Sequence, residues 1–224
     1  VSGEILRIPI GLDLTAVAVG AIGGAAAATV RAAADRIDVL GVTVVAFATG
    51  LGGSLLRDVL LGEQPAALRA DRYLLVTLIA ALTGMAFAHL LVRAEPVIAL
   101  LDSVSIGLYL ILGITKAEHA GLPLAGAVLV GLVACSGGGL LRDLLLGDPV
   151  SLVRVGSWYL TAALGAAAVY LIARPWTGSG FPTIAAVVVA AGLRILAMGR
   201  GWTSPLARPA IPPVLTDRNQ SDSI

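Results

Sequence analysis

The stretch GGSLLRDVLLG at residues 52–62 returns as GGGLLRDLLLG at residues 137–147, with nine of eleven positions identical. The offset between the copies is 137 − 52 = 85, and it also pairs Gly41 with Gly126, Arg69 with Arg154, and the aromatics Tyr73 and Trp158. Earlier in each half the offset is 102 − 13 = 89, which pairs Asp13 with Asp102 and Gly24 with Gly113. The difference, 89 − 85 = 4, is a shorter loop between the fourth and fifth apolar segments. Composition alone does not place Arg-Asp after a glycine run and a further Gly four residues on. The chain carries an internal repeat.

The sequence around this motif is that of a membrane protein. Its 224 residues are 58% hydrophobic and 13% charged, with a mean hydropathy of +0.94, whereas soluble chains average about 45–50% apolar and about 25% charged. The single cysteine, Cys135, excludes a disulfide scaffold, and a net charge of +1 argues against a nucleic-acid partner. A transmembrane helix needs about 20 mostly apolar residues. Seven such spans are predicted, at 9–32, 39–61, 73–93, 96–116, 121–146, 157–174 and 180–198. Backbone groups cannot stay unpaired in hydrocarbon, so the spans are helices and the fold class is an all-α polytopic membrane protein. Residues 1–198 form one membrane domain: repeat one at 9–93, repeat two at 96–174, and a seventh helix at 180–198. The remainder, 199–224, reads as a polar tail rich in proline (Pro205, Pro209, Pro212, Pro213). The first span is too long for a cleaved signal peptide.

Each repeat holds three spans, an odd number, so the second copy enters the bilayer upside down. With the N-terminus outside and the C-terminus cytoplasmic, nine basic residues lie inside and six outside. That bias is small because an inverted repeat distributes charge to both faces. The bilayer is the partner, and a cell (inner) membrane is the expected location.

Inverted repeats characterise transporters and some channels, with a pathway between the halves. Gly52, Gly53 and Ser54 sit in span two, and Ser136, Gly137, Gly138 and Gly139 in span five. An interior Gly costs a helix roughly 1 kcal/mol relative to Ala. The expectation is therefore a kink at each cluster, on the pathway. Close packing by small residues is the simpler reading for Gly20 and Gly24.

Arg57, Asp58, Arg142 and Asp143 lie inside apolar spans, where each costs about 2.5–3.5 kcal/mol to insert. Neighbours in sequence point to different sides of a helix, so each is expected to need a partner elsewhere. The repeat suggests two equivalent pairs, Asp13–Arg57 and Asp102–Arg142. These read either as gates at the two mouths or as staples that hold the spans. Lys116, the only lysine beside fourteen arginines, ends span four. It reads as a pore residue or as an ordinary snorkelling side chain. Thr49, Ser103, Ser105 and Thr115 can line a wet path or bond back to their own helices. Tyr73, Trp158 and Tyr159 read as interfacial anchors, Tyr109 as a core residue or a side chain that narrows a pore, and His89 as a packing residue. No phosphate-binding loop, nucleophile elbow or zinc motif is present, so an enzyme is not expected.

At the doubled Gly-Gly-Gly-x-x-Arg-Asp pattern the sequence resembles the prokaryotic branch of the trimeric intracellular cation channel family. The resemblance covers residues 9–198, including LDSVSIGLYLILGITKA at 101–117 with Lys116. It implies a homotrimer with one pore per protomer, lined by helices one, two, four and five, the second and fifth kinked at the glycines, and conducting monovalent cations, chiefly potassium. No cofactor is implied beyond the permeating K+ or Na+. Carbonyls freed near Gly137 and Gly138, with nearby hydroxyls, can replace part of an ion's hydration. Two departures matter. Ser54 replaces the third glycine of the first copy, and Ala120 stands where animal members carry a phosphoinositide-binding arginine. The resemblance therefore carries no phosphoinositide site to this chain. Some members of the family are described as glycine transporters, so a carrier of a small zwitterion is the alternative.

Overall fold

A computed structural model of the chain describes residues 10–92, 95–153, 158–177 and 180–202. Arg7, Arg93, Arg154, Arg208 and Arg218, the tail from 203 onward with its four prolines, and the side chain of His89 lie outside the described residues.

Every element among the described residues is a helix: α1 Ile10–Asp35, α2 Val39–Leu60, α3 Ala66–Arg69, α4 Asp71–Val92, α5 Glu95–His119, α6 Leu124–Leu146, α7 Tyr159–Thr177 and α8 Gly180–Gly199. The seven long helices fall within a few residues of the seven predicted spans. Six of them are long and apolar enough to cross a membrane: α1, α2, α4, α5, α6 and α8. α7, diluted at its end by Arg174-Pro175-Trp176-Thr177, falls short of that composition. The four-residue α3 was not foreseen, being too short to leave a periodic signature.

Local chemistry sets the helix ends. The Asp38 carboxylate accepts the Gly41 amide at 2.7 Å and caps α2. Gly62 and Gly147, equivalent in the repeat, both take a left-handed φ of +67° just past the ends of α2 and α6. A β-carbon is disfavoured in that conformation, which is why glycine ends both copies of the motif.

The distribution of apolar residues is inverted relative to a water-soluble protein. The interior is built from small residues such as Ala16, Val17, Ala21, Ala25, Ala163 and Ala166. Leucine, isoleucine and phenylalanine face outward, among them Leu40, Leu75, Ile79, Ile172, Phe181 and Ile184. In lipid no hydrophobic force drives helices together, so small residues that permit close contact fill the interior.

α1 packs against α2 and α4, and α5 against α6 and α8, while α2 and α6 cross between the two halves. α7 packs on α8 and only lightly on α5. The seventh helix thus takes the place on α5 that α4 holds on α1, which a strict repeat would have given to α7. Ion pairs fix the helix directions. The start of α1 (Asp13) and the end of α5 (Lys116) both meet the end of α2. The start of α5 (Asp102) and the end of α1 (Arg31) both meet the region where α6 ends. α1 and α5 therefore run in opposite directions.

Candidate functional site

The two copies of the motif meet at the α2–α6 crossing, and their contacts are reciprocal. A β-carbon on Gly52 would stand 2.6 Å from Leu141 Cδ1 and 3.3 Å from Gly138 Cα. One on Gly137 would stand 2.6 Å from Leu56 Cδ1 and 3.3 Å from Gly53 Cα. On Gly53 it would lie 2.2 Å from the Ala134 carbonyl oxygen, and on Gly138 2.1 Å from that of Thr49. Each partner is the repeat equivalent of the other. The glycines let two backbones touch.

Neither helix is interrupted there. α2 and α6 run as continuous α-helices through Gly52–Ser54 and Gly137–Gly139. The break expected at the glycines, with carbonyls freed at Gly137 and Gly138, is not seen in this conformation. Interhelical contact removes the space a side chain needs, and the burial around the glycines compensates for their low helix propensity. Gly20, 3.2 Å from Gly50 Cα by the same measure, and Gly24, 2.4 Å from Thr49 Oγ1, are packing residues.

At the end of α2 the buried charges form one cluster. Arg57 Nη1 donates to Asp13 at 3.1 Å, and Arg57 Nε donates to Asp58 at 2.8 Å. The Tyr73 hydroxyl donates to the other oxygen of Asp13 at 2.7 Å. Asp58 also accepts Lys116 Nζ at 2.8 Å and the Ala66 amide at 2.9 Å, the latter starting α3. Lys116 reaches on to Glu63 at 2.7 Å.

The second cluster repeats this plan with one change. Arg142 Nη1 donates to Asp102 at 3.3 Å, and Asp143 accepts Arg142 Nε at 3.0 Å and Nη2 at 2.9 Å. Asp143 also accepts the Ser151 amide at 2.7 Å, and residue 151 is the equivalent of Ala66. Asp102, however, has Arg194 of α8 as its further partner at 2.8 Å, where Asp13 has the Tyr73 hydroxyl of α4. The packing of α8 on α5 delivers that arginine. Arg31 pairs with Asp148, the equivalent of Glu63, as well as with Asp35 at 2.7 Å.

Both pairs suggested by the repeat, Asp13–Arg57 and Asp102–Arg142, are thus present. Each of Arg57, Asp58, Arg142 and Asp143 has the further partner expected of it, but each arginine also pairs with the aspartate next to it in sequence. An arginine is long enough to curl back to the carboxylate of the next residue. Lys116 is not a free snorkelling side chain but bridges two acids. Arg194, Glu63 and Asp148 were not singled out as site residues. An arginine well inside an apolar span was the available signal for Arg194.

The hydroxyls are engaged locally. Thr49 bonds back to Val45 O at 2.7 Å, Ser54 to Leu51 O at 2.9 Å and Ser136 to Leu132 O at 2.8 Å. Thr115 meets the Tyr170 hydroxyl at 3.1 Å. Ser103 and Ser105 are buried on α5. Tyr73 and Tyr159 are buried, not interfacial as expected, because each hydroxyl finds an internal acceptor. Tyr109 donates to Gly50 O, and Tyr159 to Cys135 O at 2.6 Å. Gly50 and Cys135 are themselves repeat equivalents, reached by tyrosines from non-equivalent helices. Trp158 donates to Trp202 O at 3.1 Å, and the two rings pack at a tilt of 51°.

The arrangement holds the four aspartates Asp13, Asp58, Asp102 and Asp143 against three arginines and Lys116, two of each sign in each cluster, beside a close helix crossing. Such groups can hold charge inside an apolar bundle without leaving an ion unpaired in lipid.

The chain is similar to known membrane proteins over most of its length. A family described as glycine transporter matches in two stretches, residues 11–89 and 99–175. A UPF0126 membrane protein of Deinococcus radiodurans is 37% identical over 169 residues, which is 74% of this chain and 77% of that protein. The UPF0126 inner membrane protein YadS of Escherichia coli K12 is 31% identical over 158 residues, covering 68% and 72% of the two. Among solved structures, the TRIC trimeric intracellular cation channel orthologue from Rhodobacter sphaeroides superposes with a TM-score of 0.76 at 27% identity. That match covers 86% of this chain and 97% of the other. A structure described as the basis for conductance through TRIC cation channels superposes with a TM-score of 0.74 at 27% identity, covering 92% and 100%.

Proposed function

The chain belongs to the prokaryotic trimeric intracellular cation channel family, and on that premise we propose that it is a monovalent-cation channel with one pore in each protomer of a homotrimer. The observation that carries the reading is the likeness, over almost their whole lengths, to structures described as cation channels. The opposed directions of α1 and α5 and the reciprocal α2–α6 crossing support an inverted repeat with the pathway between its halves.

The pore follows the α2–α6 crossing, flanked by α1 and α5, with α7 completing a bundle of seven membrane helices. Gly52, Gly53, Ser54 and Ser136 to Gly139 form its narrowest part, where α2 and α6 bend as the pathway opens. Asp13, Arg57, Asp58, Asp102, Lys116, Arg142 and Asp143 are its charged mouths. Thr49, Ser103, Ser105 and Thr115 supply polar lining. K+ is preferred over Na+, and in the open, bent form either ion is met by hydroxyls turned from their own helices and by carbonyls released near Gly137 and Gly138. Pairing of each arginine removes the repulsion that a bare guanidinium would exert on a cation. The protein resides in the cell (inner) membrane with its N-terminus outside.

The family's description favours a second reading, a carrier of glycine or a similar zwitterion. A planar-bilayer recording of purified protein in a KCl gradient separates the two. Discrete conductance steps reversing toward the potassium equilibrium potential support the channel. Saturable glycine uptake into proteoliposomes, with no such steps, supports the carrier and overturns the channel.

A further inference from the structure

The two charge clusters differ in what happens to their members when the interhelical bond between them is broken. In the second cluster the link between α5 and α6 is the Asp102–Arg142 contact at 3.3 Å, and it joins two closer pairs. Asp102 is held by Arg194 at 2.8 Å, and Arg142 by Asp143 through two bonds of 2.9 and 3.0 Å. Parting α5 from α6 here breaks one long bond and leaves both acids and both arginines paired. Arg194 is also equipped to replace Arg142. Its Nε is buried with no hydrogen-bond partner among the described residues, while its guanidinium lies 5.0 Å from the centre of the Tyr159 ring. A spare donor lets the guanidinium turn its Nε/Nη2 edge to Asp102 and close on it in a bidentate pair.

In the first cluster the corresponding link is Asp13–Arg57 at 3.1 Å. If it parts, Arg57 keeps Asp58, but Asp13 keeps only the neutral hydroxyl of Tyr73 among the described residues. A buried carboxylate then has no cation, which is strongly unfavourable in a membrane interior. The two otherwise matching joints are unequal because α8 brings an arginine to Asp102 and α4 brings a tyrosine to Asp13.

We propose that the α5–α6 joint at Asp102–Arg142 is the one that opens, and that Arg194 of the seventh helix is the positioning residue that permits it by neutralising Asp102 when Arg142 departs. The α1–α2 joint at Asp13–Arg57 stays closed and acts as the fixed support. The inference depends on the proposed channel function only for what the opening accomplishes, namely access to the pathway.

The native cysteine tests it without requiring current. Cys135 is buried on α6 near Asp102 and Tyr159, so its labelling in membrane vesicles by a small methanethiosulfonate reports opening of this joint. A Thr49→Cys probe in a Cys135→Ser background reports on α2, one residue from the equivalent position. Cys135 should label at least fivefold faster than the α2 probe. Arg194→Gln leaves Arg142 as the cation Asp102 depends on, so it should slow Cys135 labelling at least fivefold and change the α2 probe by less than twofold. Asp102→Asn with Arg194→Gln removes the joint's charges from α5 and α8 in balance, and should label Cys135 at least fivefold faster than the wild type. That balanced variant decides the matter if Arg194→Gln alone does not insert. Arg194→Gln labelling within twofold of the wild type, equal slowing of both probes, or no acceleration in the double variant overturns the proposal. Absence of conductance steps with the expected labelling pattern removes the channel function and leaves the joint. Steps with an unchanged pattern remove the joint alone.

Discussion

At the scale of single residues, the repeat made partners legible that proximity in the chain would have concealed. Asp13 and Arg57 lie 44 positions apart, and Asp102 and Arg142 lie 40 apart, yet both pairs form. What the sequence did not reveal is the further partner of each acid. Tyr73 begins its helix and resembles an interfacial anchor, but its hydroxyl points inward to Asp13. Arg194 depends on which helix packs against α5, a tertiary choice with no local signature. The difference has a measurable consequence. Asp13→Ala leaves Arg57 with Asp58, whereas Asp102→Ala strands Arg194 in a buried site. Removing one partner of a buried pair costs about 3–5 kcal/mol when the other is left uncompensated. Asp102→Ala should therefore destabilise the protein by about that amount in detergent unfolding titrations, and Asp13→Ala by roughly half as much. Adding Arg194→Met to Asp102→Ala should recover most of the difference. Equal losses for the two single variants would show that Arg194 does not depend on Asp102.

At the scale of elements, helix positions were readable because twenty-residue apolar runs with charged ends have few alternatives in a membrane. The glycines were harder to read. The same residue weakens an isolated helix and allows two helices to touch, and sequence alone does not say which effect wins. Here contact wins, because the β-carbons absent from Gly53 and Gly138 would fall within 2.2 Å of carbonyl oxygens on the facing helix. Those oxygens are backbone and cannot swing aside. Gly53→Ala and Gly138→Ala should thus push α2 and α6 apart and cost about 1–3 kcal/mol or more, the range for overpacked sites. Gly139 offers the contrast within the same triplet. Its β-carbon would come no closer than 3.6 Å, to the Tyr159 hydroxyl. Gly139→Ala should be neutral or stabilising by up to about 1 kcal/mol through helix propensity. Thermal unfolding of the three variants tests the order. A loss at Gly139 as large as at Gly138 would mean that flexibility, rather than contact, is what the glycines supply.

At the scale of the whole molecule, the two halves are held to each other at both ends by reciprocal charge contacts. Lys116 at the end of α5 reaches Glu63 just beyond α2, and Arg31 near the end of α1 reaches Asp148 just beyond α6. Glu63 and Asp148 are equivalent in the repeat, and each is met by a base from the opposite half. These bridges are partly exposed, so each contributes at most about 1 kcal/mol. Their value is directional. The segment after α2 lies with the start of α1 and the end of α5, while the segment after α6 lies with the opposite ends of both helices. With α1 and α5 each crossing the bilayer, as their length and apolarity allow, those two segments face different compartments, whichever way the whole protein is inserted. Arg69 and Val153 are exposed in the two segments and belong to no ion pair among the described residues. In a Cys135→Ser background, Arg69→Cys should react with a membrane-impermeant maleimide added to intact cells, and Val153→Cys should react only after permeabilisation. The reverse assignment would keep the inverted repeat and turn the proposed orientation over. Labelling of both positions from one side would contradict the antiparallel course of α1 and α5, and with it a pathway running between the halves from one compartment to the other.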